Sequence, residues 1–169
     1  MSVPAHRAAI ALGANLGERD QAIHAAIRVL QAHPEIHSLQ ASSLYRTRPV
    51  DAQGPDFCNA AAIFHTTLGP QAVLDLLLDI EQRFGRTRST RNAPRLLDLD
   101  LIAFDAQVLA HHNLTLPHPR AHERAFVLIP LCEIADTVLL GPPNTHHLRP
   151  ASEWLSHLGK RQRQEVMPW

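Results

Sequence analysis

Asp98 and Asp100 are the residues whose type and spacing point most directly to chemistry. They sit in Leu97-Asp98-Leu99-Asp100-Leu101, whose apolar–polar alternation has the period of a strand with one polar face. Residues i and i+2 of a strand point the same way, with Cα atoms about 6.5–7 Å apart. Two carboxylates held that close repel one another unless a cation lies between them, and paired oxygen ligands suit Mg2+. That ion takes one or two protein carboxylates and fills its octahedron with water and phosphate oxygens. The segment before the strand brings the complementary charge in Arg83, Arg86, Arg88, Arg91 and Arg95. Guanidinium groups fork onto phosphate oxygens, so the pattern reads as metal plus polyphosphate. The same spacing also fits a strand whose solvent face carries two Asp beside a basic loop.

The run Arg91-Asn92-Ala93-Pro94-Arg95-Leu96-Leu97-Asp98-Leu99-Asp100-Leu101-Ile102 resembles the signature of the 6-hydroxymethyl-7,8-dihydropterin pyrophosphokinase family. That signature reads as a basic residue, any residue, a small residue, Pro, Arg, two residues, Asp-aliphatic-Asp and two aliphatics. Further motifs follow in the family's order: Gly13-Ala14-Asn15-Leu16, Tyr45-Arg46-Thr47, Phe57-Cys58-Asn59-Ala60, and Leu114-Thr115-Leu116-Pro117-His118 with Arg124-Ala125-Phe126. The likeness spans roughly Ile10 to Leu131. It implies that Asp98 and Asp100 hold Mg2+, two ions in all, and that Arg86 and Arg95 stand nearest the chemistry. It implies an ATP site formed by Glu81, Arg88, Arg91, Ile102, Thr115, His118 and Arg124. It implies a pterin pocket formed by Thr47, Pro49, Val50, Phe57, Asn59, Asn92 and Phe126. Asn92 stands where many relatives carry Trp, Phe57 where some carry Tyr, and the arginine loop is about one residue shorter than in some relatives. Read without the likeness, Phe57 is a core residue, Asn59 a turn residue and Glu81 a solvated helix-end residue.

The elements that must position these groups follow from periodicity and punctuation. Ala8 to Gly13 is a short apolar run ending at Gly, a buried strand. Gly13 to Gly17 turns the chain, but without the Lys-Ser/Thr of a P-loop. Asp20 to Ala32 carries Ile23, Ile27 and Leu30 on one helical stripe, and Pro34 stops it. Ile36 to Tyr45 reads as a strand, residues 51–55 as a loop and Phe57 to Thr67 as an antiparallel partner. Pro70 opens a helix that Gly85 closes. After the Asp98 strand come short strands at Val108-Leu109 and Leu114–Leu116, and an apolar helix or turn over Phe126 to Ala135 with Pro130 inside. Leu139 to Pro143 is a loop, Pro150 starts a terminal helix, and Lys160 to Arg163 is a basic exit. His118 and His122 are four apart, but no third ligand is evident and Pro119 interrupts the turn, so zinc is not expected.

At 169 residues the chain is expected to be one domain, 1–169, with a sizeable core. Sixteen basic and sixteen acidic residues cancel, so no global field recruits nucleic acid or a membrane. Two cysteines are too few for a disulfide framework, and no run of about 18 apolar residues occurs, so the expectation is a cytoplasmic protein. The order β-α-β-β-α-β with C-terminal additions resembles a ferredoxin-like α+β sandwich: a mostly antiparallel sheet with helices on a face. The reading is a monomeric Mg-dependent pyrophosphokinase that uses ATP as co-substrate and a reduced pterin as acceptor. Its rivals are a ferredoxin-like RNA-binding module using the arginine loop, and a kinase delivering only the γ-phosphoryl group. Few aromatics and zero net charge count against RNA.

Overall fold

A computed structural model describes residues 5–49, 54–85 and 96–169. The elements run β1 (His6–Ala14), α1 (Arg19–Ala32), β2 (Ile36–Ala41), β3 (Tyr45–Thr47), β4 (Phe57–Thr66), α2 (Pro70–Arg83), β5 (Asp98–Phe104), β6 (Leu109–His111), β7 (Leu114–Leu116), α3 (Ala125–Ala135), β8 (Leu139–Leu140), β9 (Arg149–Pro150), α4 (Ala151–His157), α5 (Lys160–Gln164) and β10 (Val166–Pro168).

The main sheet has the order β10-β3-β4-β1-β5, with β2 also paired to β4, and every pairing is antiparallel. Taking β2 and β3 as one bent strand, β1 to β5 reproduce the ferredoxin-like α+β arrangement, as expected. The expected single strand over Ile36 to Tyr45 is broken because Ser42 substitutes its hydroxyl for a ladder rung. Its N–H donates to the Ala61 carbonyl at 2.8 Å, while its Oγ accepts the Ala61 N–H at 2.9 Å. A side chain that satisfies the neighbouring backbone locally ends regular pairing.

Two cores lie on opposite faces of the sheet. Ile23, Ala26, Ile27 and Leu30 of α1 and Val73, Leu77 and Ile80 of α2 pack on Ile10, Leu12, Phe64, Leu99 and Leu101. The second face is covered by Val127, Leu128 and Leu131 of α3 against Ala9, Ala61, Ile63 and Ile102. Helix α3 is apolar nearly all round because it is wedged between the sheet and α4, whose Ala151 and Trp154 close the same cluster. The stretch after residue 136 also differs from expectation. Leu139–Leu140 pairs with Arg149–Pro150, and the expected basic exit is helix α5 followed by β10, which returns to the sheet beside β3.

Strand β5 carries a bulge: Ala9 pairs with Ala103 and Ile10 with Leu101, which leaves Ile102 as the extra residue. Leu99 and Leu101 therefore face the α1/α2 core, while Ile102 and Ala103 face α3. Asp98 pairs with Gly13 and Asp100 with Ala11, which fixes both acids on the α3 face at one end of the sheet.

Candidate active site

A cross-strand row organises the site. Tyr45 of β3, Asn59 of β4, Gly13 of β1 and Asp98 of β5 are direct partners in successive pairings, and directly paired residues share a face. Asn59 and Asp98 are thus two strand spacings apart, about 10 Å, on either side of a residue without a side chain. The close approach requires that absence. A Cβ on Gly13 would lie 3.2 Å from Asn59 Oδ1 and 3.9 Å from Phe57 Cδ1. Asn59 is buried, and its Nδ2 donates to Thr47 Oγ1 at 2.6 Å, so its amide is oriented with Oδ1 over the glycine floor. Among the described residues, the buried polar side chains are Asn15, Ser42, Thr47, Asn59, Thr66 and Glu81; Thr47, Asn59 and Glu81 belong to the predicted site. Buried polar groups have an energetic cost unless paired, and their concentration at one sheet end marks a place selected for something besides packing.

A cleft of about 380 Å3 runs along the outer edge of β5. Asp98 and Asp100 line it together with Glu81, Thr115 and His118, all named from the sequence. Leu101, rather than Ile102, contributes the aliphatic wall. The bulge turns the Ile102 side chain into the core under α3, where it is 2% exposed, and its carbonyl accepts the His118 N–H at 2.8 Å. Leu74, Leu78, His112, Asn113 and Pro119 also line the cleft and were not anticipated. A signal for two of them was present: Leu74, Leu78 and Glu81 stand at i, i+4 and i+7, a second stripe beside the core stripe Val73, Leu77, Ile80. Leu78 is 45% exposed, an apolar side chain presented to the cleft instead of the core.

Glu81 is not the solvated residue that its charge suggests. It is 1% exposed, and its Oε1 accepts the N–H of Leu99 at 2.7 Å, between the two acids. An edge strand presents unpaired backbone groups, and this carboxylate covers one of them. Burial, reinforced by the nearby Arg124 charge, pushes His118 down to about 4 against the opposing pull of Asp98. His118 is therefore neutral near pH 7. Its Nδ1 accepts the Arg120 N–H at 3.2 Å, which leaves Nε2 as the protonated, donating nitrogen. Burial and Arg120 draw Arg124 below the ordinary arginine value, while Asp100, Glu123 and Asp98 pull it back. Arg124 thus senses both acids, and its guanidinium lies 5.6 Å from the Phe126 ring centroid at the start of α3.

Of the remaining predicted residues, Thr47 is buried, and Pro49 and Phe57 are partly buried on the Asn59 side. Val50, Arg86, Arg88, Arg91, Asn92 and Arg95 lie outside the described residues. Among the described residues no group of three or more His, Cys, Asp or Glu could hold a metal by itself. A pair of half-buried carboxylates on one strand face, opening into a cleft, does match the donor set of an ion that takes the rest of its shell from water and phosphate. His118 precedes the 3-10 turn Ala121–Glu123, and His122 packs edge-on to Trp154 at 4.8 Å.

Fold and cleft together define the class: a ferredoxin-like α+β sandwich with an acid-lined cleft beside a buried amide pocket. Residues 9–136 match the family of 7,8-dihydro-6-hydroxymethylpterin-pyrophosphokinase (HPPK). The chain belongs to that family. It is 40% identical over 130 residues to 2-amino-4-hydroxy-6-hydroxymethyldihydropteridine pyrophosphokinase of Bacillus subtilis, covering 76% of this chain and 78% of the relative. To the Pseudomonas aeruginosa protein of the same name it is 40% identical over 143 residues, covering 84% and 87%. The fold is similar to a crystal structure of Plasmodium falciparum HPPK-DHPS with a TM-score of 0.70 at 11% identity; the match covers 99% of this chain and 48% of that one. The chain therefore spans about half the length of that solved structure.

Proposed function

We propose that this chain transfers the pyrophosphoryl unit of ATP to 6-hydroxymethyl-7,8-dihydropterin, giving the pterin diphosphate and AMP, in folate biosynthesis. Family membership supports the reaction, and the observation that carries the assignment of its two ends is the Asn59–Gly13–Asp98 row. A flat ring over the Gly13 floor meets the Asn59 amide on one side and directs its hydroxymethyl arm toward Asp98 and Asp100 on the other. Thr47 holds that amide in one orientation, and Phe57 and Phe126 supply aromatic surface for the ring. ATP occupies the cleft along β5, its base against Leu74, Leu78, Leu101 and Thr115 and its phosphates toward the acids.

Asp98 and Asp100 would hold Mg2+, two ions in the fullest reading. Bound there, the metal supplies positive charge to the phosphate oxygens and lowers the pKa of the attacking hydroxyl. The chain's own contribution is alignment and electrostatics, which dominate phosphoryl transfer. Glu81 fixes the β5 backbone between the two acids. His118 offers a neutral Nε2–H donor, and Arg124 a cation next to both carboxylates. The family resemblance assigns Arg86 and Arg95 to the chemistry, Arg88 and Arg91 to ATP and Asn92 to the pterin; in that role the guanidinium groups of the four arginines would offset charge on the bridging oxygens as AMP departs from the β-phosphorus. The RNA-binding alternative has no support in the family match. The chain works as one domain: β10 pairs with β3, and α4 closes the α3 core, so the residues after 136 pack on the same body. It acts as a monomer in the cytoplasm, and among the described residues no helix is long and apolar enough to cross a membrane.

The test is incubation with ATP, Mg2+ and 6-hydroxymethyl-7,8-dihydropterin, followed by nucleotide separation. AMP accumulating in step with pterin diphosphate is the expected result. ADP would mean γ-phosphoryl transfer, and neither nucleotide would refute the assignment.

A further inference from the structure

Strand β10 and Trp169 lie outside the residues matched to the family, yet they touch the pterin side of the site. Strand β3 is three residues long, and the chain leaves it after Thr47 to re-enter the sheet at Phe57. On one side β3 pairs with Asn59, Cys58 and Phe57; on the other, Val166 pairs with Thr47, Met167 with Arg46 and Pro168 with Tyr45. The Trp169 N–H then donates to the Leu44 carbonyl at 3.1 Å, which extends the contact to the residue before β3.

The indole of Trp169 adds a second tie. The Arg46 guanidinium, from β3 itself, lies 5.0 Å from its ring centroid, and the Arg19 guanidinium, from the start of α1, lies 4.9 Å away. Arg19 also donates from Nη1 to the Asp56 carbonyl at 2.6 Å, the residue just before β4. One ring therefore links the strand that the chain leaves with the backbone to which it returns. The negative face of an aromatic ring attracts each guanidinium group, so one indole can hold both. Trp169 is 37% exposed, so this placement is not explained by core burial.

We propose that Trp169 is a positioning residue for the pterin subsite: through Arg46 and Arg19 it holds β3 and the Asp56 backbone in register, and so sets Thr47 and the Asn59 amide that Thr47 orients. The proposal rests on the pterin assignment made above. It requires Trp169 to affect one substrate and not the other, because the ATP cleft is built from α2, β5 and the β6–β7 hairpin on the far side of the sheet order.

The experiment uses the full chain with Trp169→Ala, Trp169→Phe and Arg46→Gln. It reads kcat, the KM for pterin and for ATP separately, the melting temperature, and hydrogen exchange over residues 44–49 and 56–60. Trp169→Ala should raise the pterin KM about five- to thirtyfold, the scale of losing two exposed cation–π contacts. The ATP KM and kcat should stay within about twofold of wild type, since neither contact reaches the cleft. Exchange over 44–49 should accelerate, Trp169→Phe should restore most of both effects, and Arg46→Gln should reproduce part of them. An unchanged pterin KM, or equal rises in both KM values with a lowered melting temperature, would overturn the proposal. If wild-type chain released no AMP, the pterin assignment would fall. Unchanged exchange over 44–49 in Trp169→Ala would then overturn the tie itself, independently of turnover.

Discussion

Glu81→Ala removes the carboxylate that reaches from α2 to the backbone between Asp98 and Asp100. The contact is a 2.7 Å hydrogen bond from the Leu99 N–H to an ionisable side chain only 1% exposed. Hydrogen bonds to charged groups contribute about 1.5–3 kcal/mol net, and a buried donor left without an acceptor costs about 1–3 kcal/mol. These ranges describe overlapping parts of one loss, so the expected destabilisation is about 2–3 kcal/mol. At about 2–4 °C per kcal/mol for a chain of this size, the melting temperature should fall by roughly 5–10 °C. Glu81→Gln keeps a neutral oxygen acceptor in the same place and should recover about half of the loss. Thermal melts give the stability, and steady-state AMP release at a temperature where every variant is folded gives the function. Turnover of Glu81→Ala should drop by about tenfold, because a small misplacement of a catalytic pair is expensive even when the fold survives. A melting temperature within about 1 °C of wild type, with normal turnover, would refute the role assigned to this carboxylate.

Gly13→Ala inserts a methyl group 3.2 Å from Asn59 Oδ1, on the floor between Asn59 and Asp98, and should raise the pterin KM about tenfold or more while leaving the ATP KM near wild type; equal effects on both would contradict the floor assignment. Tyr45 is the single tyrosine of the chain, so phenolate absorbance reads it alone. Burial first, then its hydrogen bond to Glu133 Oε1, pushes its pKa from 10.0 up to about 12, and the titration midpoint should lie near there. Because the folded value is raised, the neutral phenol contributes stability present below about pH 10 and lost as pH rises through the folded value. A midpoint near 10 would contradict the contact. His118 has the opposite linkage: its folded pKa, lowered from 6.5 to about 4, means that the unfolded chain takes up the proton first, so stability present above pH 6.5 is lost as pH falls toward 4. The full shift corresponds to at most about 3.5 kcal/mol, less with partial solvent screening, and urea midpoints at pH 7 and pH 5 should differ less in His118→Gln than in wild type.

The strand pattern that carries the two acids, and the bounds of α2, were legible in the sequence because both are short-range patterns. The Leu97 to Leu101 alternation placed Asp98 and Asp100 on one face, and Pro70 and Gly85 bracketed α2 within two residues. The orientation of Ile102 was not legible, since strand alternation assumes an unbroken ladder and the bulge opposite Ala9/Ile10 is set by pairing with a distant strand. Without the family likeness Glu81 reads as solvated, because a helix-end carboxylate shows nothing of the backbone N–H eighteen residues on that it will meet. The Gly13 floor is a property of three strands in register, visible only when Asn59 and Asp98 are brought to its two sides. The return of β10 to the sheet escaped for a similar reason: Val166 to Pro168 is three residues long, and a strand that short acquires its identity from the partner it finds.

In the proposed reaction Asp98 and Asp100 act together at one end of the sheet, against the phosphates of the nucleotide. That joint action is tested most directly by measuring AMP formation by Asp98→Asn and Asp100→Asn across a Mg2+ titration, with circular dichroism and melting curves recorded on the same samples. Each variant should keep the wild-type spectrum and a cooperative melt while turnover falls by about a thousandfold or more, the scale of losing a principal electrostatic contact in the transition state. Wild-type turnover and an unchanged Mg2+ dependence in either variant would contradict the account.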